Sequence, residues 1–354
     1  MKKLLFATCC IAFLSGSLGA AAQKKSVAKN VLTQTLNGKS WSADNGNGTF
    51  TNPLFYDEFS DPDIIRVGED YYLAGTTMHS VPGLVVLHSK DLVNWEFSSY
   101  CFDRFDDSDD FNLRNGKEAY GQGIWAPAIR YHNGKFYIFS NINGHGLQVY
   151  ISDSAKGPWT HHKVNGDIYD LSVLFDEDGK IYAVHKYGNV TVTELKPDLS
   201  GPVEGSSKVV IPEGNAMGEG HHVYKINGMY YILSADYSPM GRMQCARSKS
   251  IWGPYETCVI SERESYGYAA GWNVGNMGIG RPLPEDGFSF QNNKPNGLNL
   301  GCATIHQGGI VQAPDGKWWG VSMQDFNAVG RTVCLSPITW VDGWPYFGLE
   351  KNLG

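Results

Sequence analysis

Apolar and polar positions along the chain fall into short runs joined by tight turns. From about residue 59 onward one arrangement returns five times. An apolar stretch runs into a turn, and a stretch led by aromatic residues runs back out. The copies end on Tyr72, Tyr137, Tyr182, Tyr231 and Trp319. Asn133-Gly134, Asp178-Gly179, Asn227-Gly228 and Asp315-Gly316 supply the turns. Such dipeptides between apolar runs predict hairpins, because both central turn residues need positive φ. A second unit follows each hairpin: Ser89–Trp95, Ser152–Trp159, Lys196–Pro202, Ser248–Tyr255 and, most degenerate, Ser336–Trp340. Two hairpins per repeat make four strands. Five four-stranded repeats predict an all-β fold, a five-bladed β-propeller. A β-sandwich is the alternative, and it leaves the five matched pairs of units unexplained. The long last interval requires an insertion, which the Gly/Pro/Asn-rich stretch 262–300 provides.

Composition agrees with this pattern. The 354 residues include 42 glycines and 13% aromatics, which suits many turns and half-buried flat side chains. With 42% hydrophobic and 18% charged residues the chain can build a core, which excludes global disorder. A net charge of −7 argues against nucleic acid as a partner. At the N-terminus, Lys2 and Lys3 precede an apolar run, Leu4 to Leu14, and small residues through Ala22. That pattern predicts a signal peptide over 1–22 and export to the periplasm or beyond. The run is too short for a membrane span. Residues 23–50 read as a tail or linker, and 51–354 as the propeller. Beyond the leader, Cys101, Cys245, Cys258, Cys302 and Cys334 are odd in number and lack C-x-x-C spacing. They read as small buried apolar residues, with room for one disulfide and none of the spacing of a zinc site.

In a propeller the innermost strand of each blade lines the axis. Counting back from the hairpin aromatics places Asp61, Ala126, Asp170, Glu219 and His306 at one point of the repeat. Three carboxylates and an imidazole would then surround one pocket. Carboxyls so placed repel one another, which drives their pKa values apart and lets one donate a proton while another accepts one. Glycosidic hydrolysis with inversion uses two such groups, roughly 6.5–9.5 Å apart with water between. Metal binding or simple strand capping is the other reading of the same ring.

Four segments carry a resemblance: Phe59–Tyr72, Gly123–Arg130, Tyr169–Gly179 and Gly218–Lys225. They resemble glycoside hydrolase family 43, five-bladed propellers that break down hemicellulose. Two departures stand out: Leu171 follows the third-segment Asp where the family has Pro or Ala, and His221 stands where Pro is common. The resemblance covers about 50–348. It implies that Asp61 is the catalytic base, Glu219 the catalytic acid and Asp170 the residue that tunes and orients that acid. It also implies an Arg from the last blade, Arg331, holding sugar hydroxyls and depressing the base's pKa. It implies no cofactor for the chemistry, and a structural Ca²⁺ near His306 or a hydrogen-bonded histidine without metal. The acidic loop 106–110 lacks a calcium-loop pattern and reads as solvated.

Trp125, just before the second inner strand, is the candidate sugar platform. Trp272, in the insertion, is a candidate wall for the leaving group, and His79 a candidate rim contact. The implied substrate is a plant polysaccharide or oligosaccharide. The expected activity is exo-acting removal of terminal α-L-arabinofuranosyl or β-xylosyl units. An endo-arabinanase, or a propeller that binds carbohydrate without cleaving it, is the competing class. Relatives often carry a β-sandwich after the propeller, so the chain is read as a single-domain member or as part of a longer protein.

Overall fold

The computed structural model describes residues 42–105, 108–215, 217–236, 242–261, 307–325, 330–350 and 352–353. These residues form five antiparallel sheets, each built from strands consecutive in the chain. Blade 1 is β1 (Ser60–Val67), β2 (Asp70–Thr76), β3 (Gly83–Ser89) and β4 (Trp95–Phe102). Blade 2 is β5 (Ile124–His132), β6 (Lys135–Ile142), β7 (Gly146–Ser152) and β8 (Thr160–Val164). Blade 3 is β9 (Ser172–Phe175), β10 (Ile181–His185), β11 (Val190–Leu195) and β12 (Lys208–Ile211). Blade 4 is β13 (Glu219–Ile226), β14 (Met229–Asp236), β15 (Arg242–Ser248) and β16 (Glu256–Val259). Blade 5 is β17 (Ile310–Gln312), β18 (Trp318–Asp325), β19 (Arg331–Val341), β20 (Trp344–Leu349) and β21 (Asn352–Leu353). The fold is the five-bladed β-propeller expected from the repeats.

Local chemistry explains the blades. The turns between β5 and β6 and between β13 and β14 hold Asn133-Gly134 and Asn227-Gly228, all four at positive φ. That is the twist a two-residue hairpin demands. The second repeated unit is a hydrogen-bonded turn. Ser89 Oγ accepts the N–H groups of Asp91 and Leu92, and Asp91 Oδ1 accepts those of Val93 and Asn94. Trp95 Nε1 then donates to the Leu92 carbonyl at 2.9 Å.

Packing closes the ring. Five apolar clusters fill the five interfaces between neighbouring blades. The last of them sets Ile64, Tyr71 and Leu73 of blade 1 against Val311, Val321, Val333 and Leu335 of blade 5. Removing this apolar surface from water is the main term holding blades together. Hydrogen bonds reinforce the closure. Leu54 N–H donates to the Val333 carbonyl and Phe59 N–H to the Arg331 carbonyl, each at 2.8 Å. The segment entering blade 1 is therefore stitched to β19.

A buried polar group sits where the inner strands meet. Asp63 Oδ2 accepts Ile129 N–H at 2.9 Å and Arg130 Nη1 at 2.5 Å. Arg130 also reaches Ser172 Oγ, which accepts Val223 N–H at 3.0 Å. His222 Nε2 stands 3.5 Å from Asp63 Oδ1. Tyr224 Oη accepts Ile310 N–H at 2.9 Å. Side chains of blades 1 to 4 and a backbone group of blade 5 thus tie the inner strands together.

Cys101, Cys245 and Cys334 are buried and Cys258 is half-buried, and Cys302 lies outside the described residues. No described helix is long and apolar enough to cross a membrane. The leader-like segment 1–22 and residues 23–41 lie outside the described residues.

Candidate active site

The inner strands do not run straight into the axis. Register shifts between Ser60 and Asp63, Ile124 and Pro127, and Glu219 and His222 mark a bulge at the start of β1, β5 and β13. A bulge re-aims the side chains beside it. Cross-strand pairing fixes which residues are equivalent: Ile65 faces Tyr72, Leu174 faces Tyr182, Tyr224 faces Tyr231 and Val311 faces Trp319. Four residues before each of these lie Asp61, Asp170, Gly220 and Gln307, all at φ between 45° and 66°. Glu219 therefore precedes the equivalent position by one residue, and Gln307 rather than His306 occupies it. Counting from the aromatics misses this, because the strand-to-aromatic spacing varies between blades.

Gly220 is required twice over. Its φ of +66° suits glycine, and a Cβ there would lie 2.6 Å from the Gln307 side chain. The bulge leaves Glu219 and Asp170 facing one space. A cavity of about 150 Å³ is lined by Asp61, Trp125, Ala126, Tyr169, Asp170, Glu219, Gln307 and Arg331. All five blades contribute. Trp125 holds its place partly because Gly123 has no side chain: a Cβ there would overlap the indole at 1.9 Å. Two larger surface depressions of roughly 400 Å³ lie beside β15–β16 and β7–β8, but neither gathers carboxylates from several blades.

The three carboxyls differ in environment. Asp61, 7% exposed, faces Arg331: Nη1 lies 3.3 Å from Asp61 Oδ1 and donates to Ser60 Oγ at 2.9 Å. Asp170 is buried, and its Oδ2 accepts Gly220 N–H at 2.7 Å. Burial, then the charges of Glu219 and Asp61, push Asp170 up to about 8, against the pull of Gly220 N–H and Arg331. Glu219 is also raised, chiefly by burial; the hydrogen bond from Tyr169 and the charge of Arg331 oppose the rise, and Asp61 adds to it. The Tyr169 hydroxyl donates to Glu219 Oε2 at 3.0 Å. One carboxylate thus has a guanidinium beside it, while the other two favour the protonated form. Such separation suits paired acid and base chemistry.

A match to the family model for glycosyl hydrolases family 43 covers residues 50–268. The chain belongs to glycosyl hydrolase family 43. A beta-xylosidase of Formosa agariphila is 30% identical over 353 residues, 88% of this chain and 53% of that protein. A non-reducing end alpha-L-arabinofuranosidase of Bacteroides ovatus is 34% identical over 318 residues, 85% of this chain and 54% of that protein. A solved bifunctional GH43-CE structure from Bacteroides eggerthii superposes with a TM-score of 0.70 at 33% identity, over 86% of this chain and 36% of that one. The chain spans about half the length of the curated relatives it matches. The resemblance read from the four segments holds.

In this family 43 propeller, five of the expected site residues line the one cavity: Asp61, Trp125, Asp170, Glu219 and Arg331. His79 is not among its lining residues. The turn Thr77–Ser80 is closed by Ser80 N–H to the Thr77 carbonyl, and the backbone of Met78 pairs with Ile124. His79 is left exposed, against Tyr120 with ring centroids 4.7 Å apart. Trp272 and His306 lie outside the described residues. Sequence reasoning missed Tyr169 and Gln307 in the cavity, and the Asp63–Arg130–His222 group. Asp63 could have been found, since it lies two residues beyond Asp61 on an inner strand.

The implied ion near His306 finds no donor set among the described residues. No group of three or more His, Cys, Asp or Glu there is arranged for a metal. Asp63 is already engaged at both oxygens, and Arg130 supplies its positive partner. That set does not fit a hard cation, and no step below runs through one. In the acidic loop, Asp106 and Asp107 lie outside the described residues, and Asp110 pairs with Ser108 and with His145 at 3.2 Å.

Proposed function

We propose that this chain is an exo-acting, inverting glycosidase that removes terminal pentose units, α-L-arabinofuranosyl foremost, from plant hemicellulose. The observation that carries the reading is the asymmetry of the carboxyls: Arg331 beside Asp61, and burial that favours protonated Glu219 and Asp170. In this reading Asp61 accepts a proton from water as the water attacks the anomeric carbon. Glu219 gives its proton to the departing oxygen from the opposite side. Asp170, across from Glu219, raises the pH to which the site keeps a proton. Arg331 holds Asp61 and offers donors to sugar hydroxyls, and Trp125 offers an apolar face to the ring. The name of one relative, a non-reducing end alpha-L-arabinofuranosidase, supports the exo-acting reading.

The names of the relatives favour two pentosides, a xyloside and an arabinofuranoside. The test is release of arabinose against xylose from matched aryl glycosides and from arabinosylated xylan oligosaccharides. Arabinose release, abolished on the oligosaccharides by Glu219→Gln, supports the reading. Xylose release alone replaces the substrate, and release of neither, with sugar binding retained, leaves a carbohydrate-binding propeller. We further propose that the protein is exported, on the Lys2–Ala22 pattern. N-terminal sequencing of protein recovered outside the cytoplasm tests this, with Gln23 as the expected first residue.

A further inference from the structure

Tyr169 has no role in the scheme above, yet its hydroxyl touches the group that scheme depends on. It donates to Glu219 Oε2 at 3.0 Å, from blade 3 to blade 4. The side chain lines the cavity although the residue is 44% exposed. Its backbone is anchored. Lys186 N–H donates to the Tyr169 carbonyl at 2.9 Å. The Lys186 carbonyl in turn faces His221 Nε2 at 2.6 Å, and a carbonyl only accepts, so Nε2 carries the hydrogen. Ser234 Oγ then donates to His221 Nδ1 at 2.6 Å. A chain of hydrogen bonds therefore fixes the Tyr169 backbone to β13 and β14, and β13 also carries Glu219.

We propose that Tyr169 is a positioning residue for the general acid: its hydroxyl occupies Glu219 Oε2, so that Oε1 carries the proton delivered to the leaving oxygen. This rests on the reading of Glu219 as that acid. As the glycosidic C–O bond breaks, the Oε1 proton passes to the departing oxygen and Glu219 becomes a carboxylate. Tyr169 keeps its own proton throughout. A neutral donor aimed at a carboxyl binds the carboxylate more strongly than the acid, so the contact favours proton release. It offsets part of what burial does to Glu219. Among the described residues, the other polar groups facing Glu219 are Asp61 from blade 1, Asp170 from blade 3, and Gln307 and Arg331 from blade 5. Among the described residues, Arg331 works in the same direction as Tyr169 on the charge of Glu219, and Asp61 opposes both.

The test is Tyr169→Phe, which keeps the ring and removes the hydroxyl. In protein labelled with ¹³C at glutamate carboxyls, the Glu219 resonance is assigned by its loss in Glu219→Gln and titrated. The variant's midpoint should rise by about 0.5–1 unit. Replacing Tyr169 by 3-fluorotyrosine, a stronger donor with the same shape, should lower it. In kinetics, the alkaline limb of kcat/KM should move up with the midpoint. Below that limb, Tyr169→Phe should cost roughly 3–10-fold on an alkyl pentoside and far less on an activated aryl pentoside. An unmoved or lowered midpoint in Tyr169→Phe overturns the proposal, as does an equal loss on both substrates with an unmoved limb. If the parent protein hydrolyses no pentoside, the functional reading fails, and with it the delivery of a proton from Oε1. The titration still reports whether Tyr169 tunes Glu219.

Discussion

The backbone N–H of Gly220 donates to Asp170 Oδ2 across 2.7 Å, joining blade 4 to blade 3 at the wall of the carboxylate cavity. The bulge that starts β13 makes this possible: it turns Gly220 to φ +66° and leaves Glu219, one residue earlier, facing the same space. Gly220→Ala should therefore damage both fold and site. An alanine in that conformation costs about 1–2 kcal/mol, and its Cβ must displace Gln307. Denaturant unfolding should register the loss in stability. Activity should fall by more than that loss explains, because Glu219 moves with its neighbour. A variant with parental kcat/KM would show that the bulge does not position Glu219.

Asp170 sets a pH-dependent stability. Its native pKa, pushed to about 8 from an ordinary 3.8, means that the folded protein keeps a proton the unfolded chain releases. Stability linked to this group is full below pH about 4 and falls as pH rises towards about 8. Asp170→Asn removes the dependence and can still accept the Gly220 N–H. The variant should match the parent at low pH and exceed it above pH 8, by an order of a few kcal/mol. Melts at several pH values check this. The same substitution should impair activity and move the alkaline limb of kcat/KM downward, because Glu219 alone then holds the proton.

Arg130 is the positive partner of Asp63, which is 1% exposed. Arg130→Met should destabilise the fold by about 3–5 kcal/mol by leaving a buried carboxylate without its counter-charge. Urea unfolding measures the loss. The double variant Asp63→Asn with Arg130→Met should regain part of it, and an unchanged midpoint for Arg130→Met alone would contradict the role given to this pair.

The base and the acid should fail differently. Asp61→Asn should lower kcat/KM by about 10²–10⁴-fold on every pentoside, since water loses its base. Glu219→Gln should show a similar loss only where the leaving group needs a proton, and should spare an activated aryl pentoside in part. Near-normal activity in Asp61→Asn, with Glu219→Gln equally inactive on both substrates, would reverse or remove these assignments.

Much of this was legible because it is local. Asn133-Gly134 and Asn227-Gly228 announce hairpins through backbone conformation alone, and the matched aromatics and Ser-to-Trp turns count the blades. The carboxylates followed once the repeats were aligned. What stayed hidden depends on register and on contacts between blades. Cross-strand register sets Glu219 one residue before the position of Asp61 and Asp170, and puts Gln307 where counting from Trp319 puts His306. Tyr169 adjoins Asp170 in sequence, but its importance comes from a partner 50 residues away. The neighbour of His79 was also hidden: the turn at Thr77–Ser80 leaves its ring exposed against Tyr120, a contact between residues far apart in the chain.

The central claim is that Asp61 and Glu219 act from opposite faces of a pentose, with water between them. The most direct measurement is ¹H NMR of the first sugar released, before mutarotation. The account predicts β-L-arabinofuranose from an α-L-arabinofuranoside, or α-xylose from a β-xyloside, because the attacking water enters opposite the leaving group. Release of the anomer with the substrate's own configuration would contradict it.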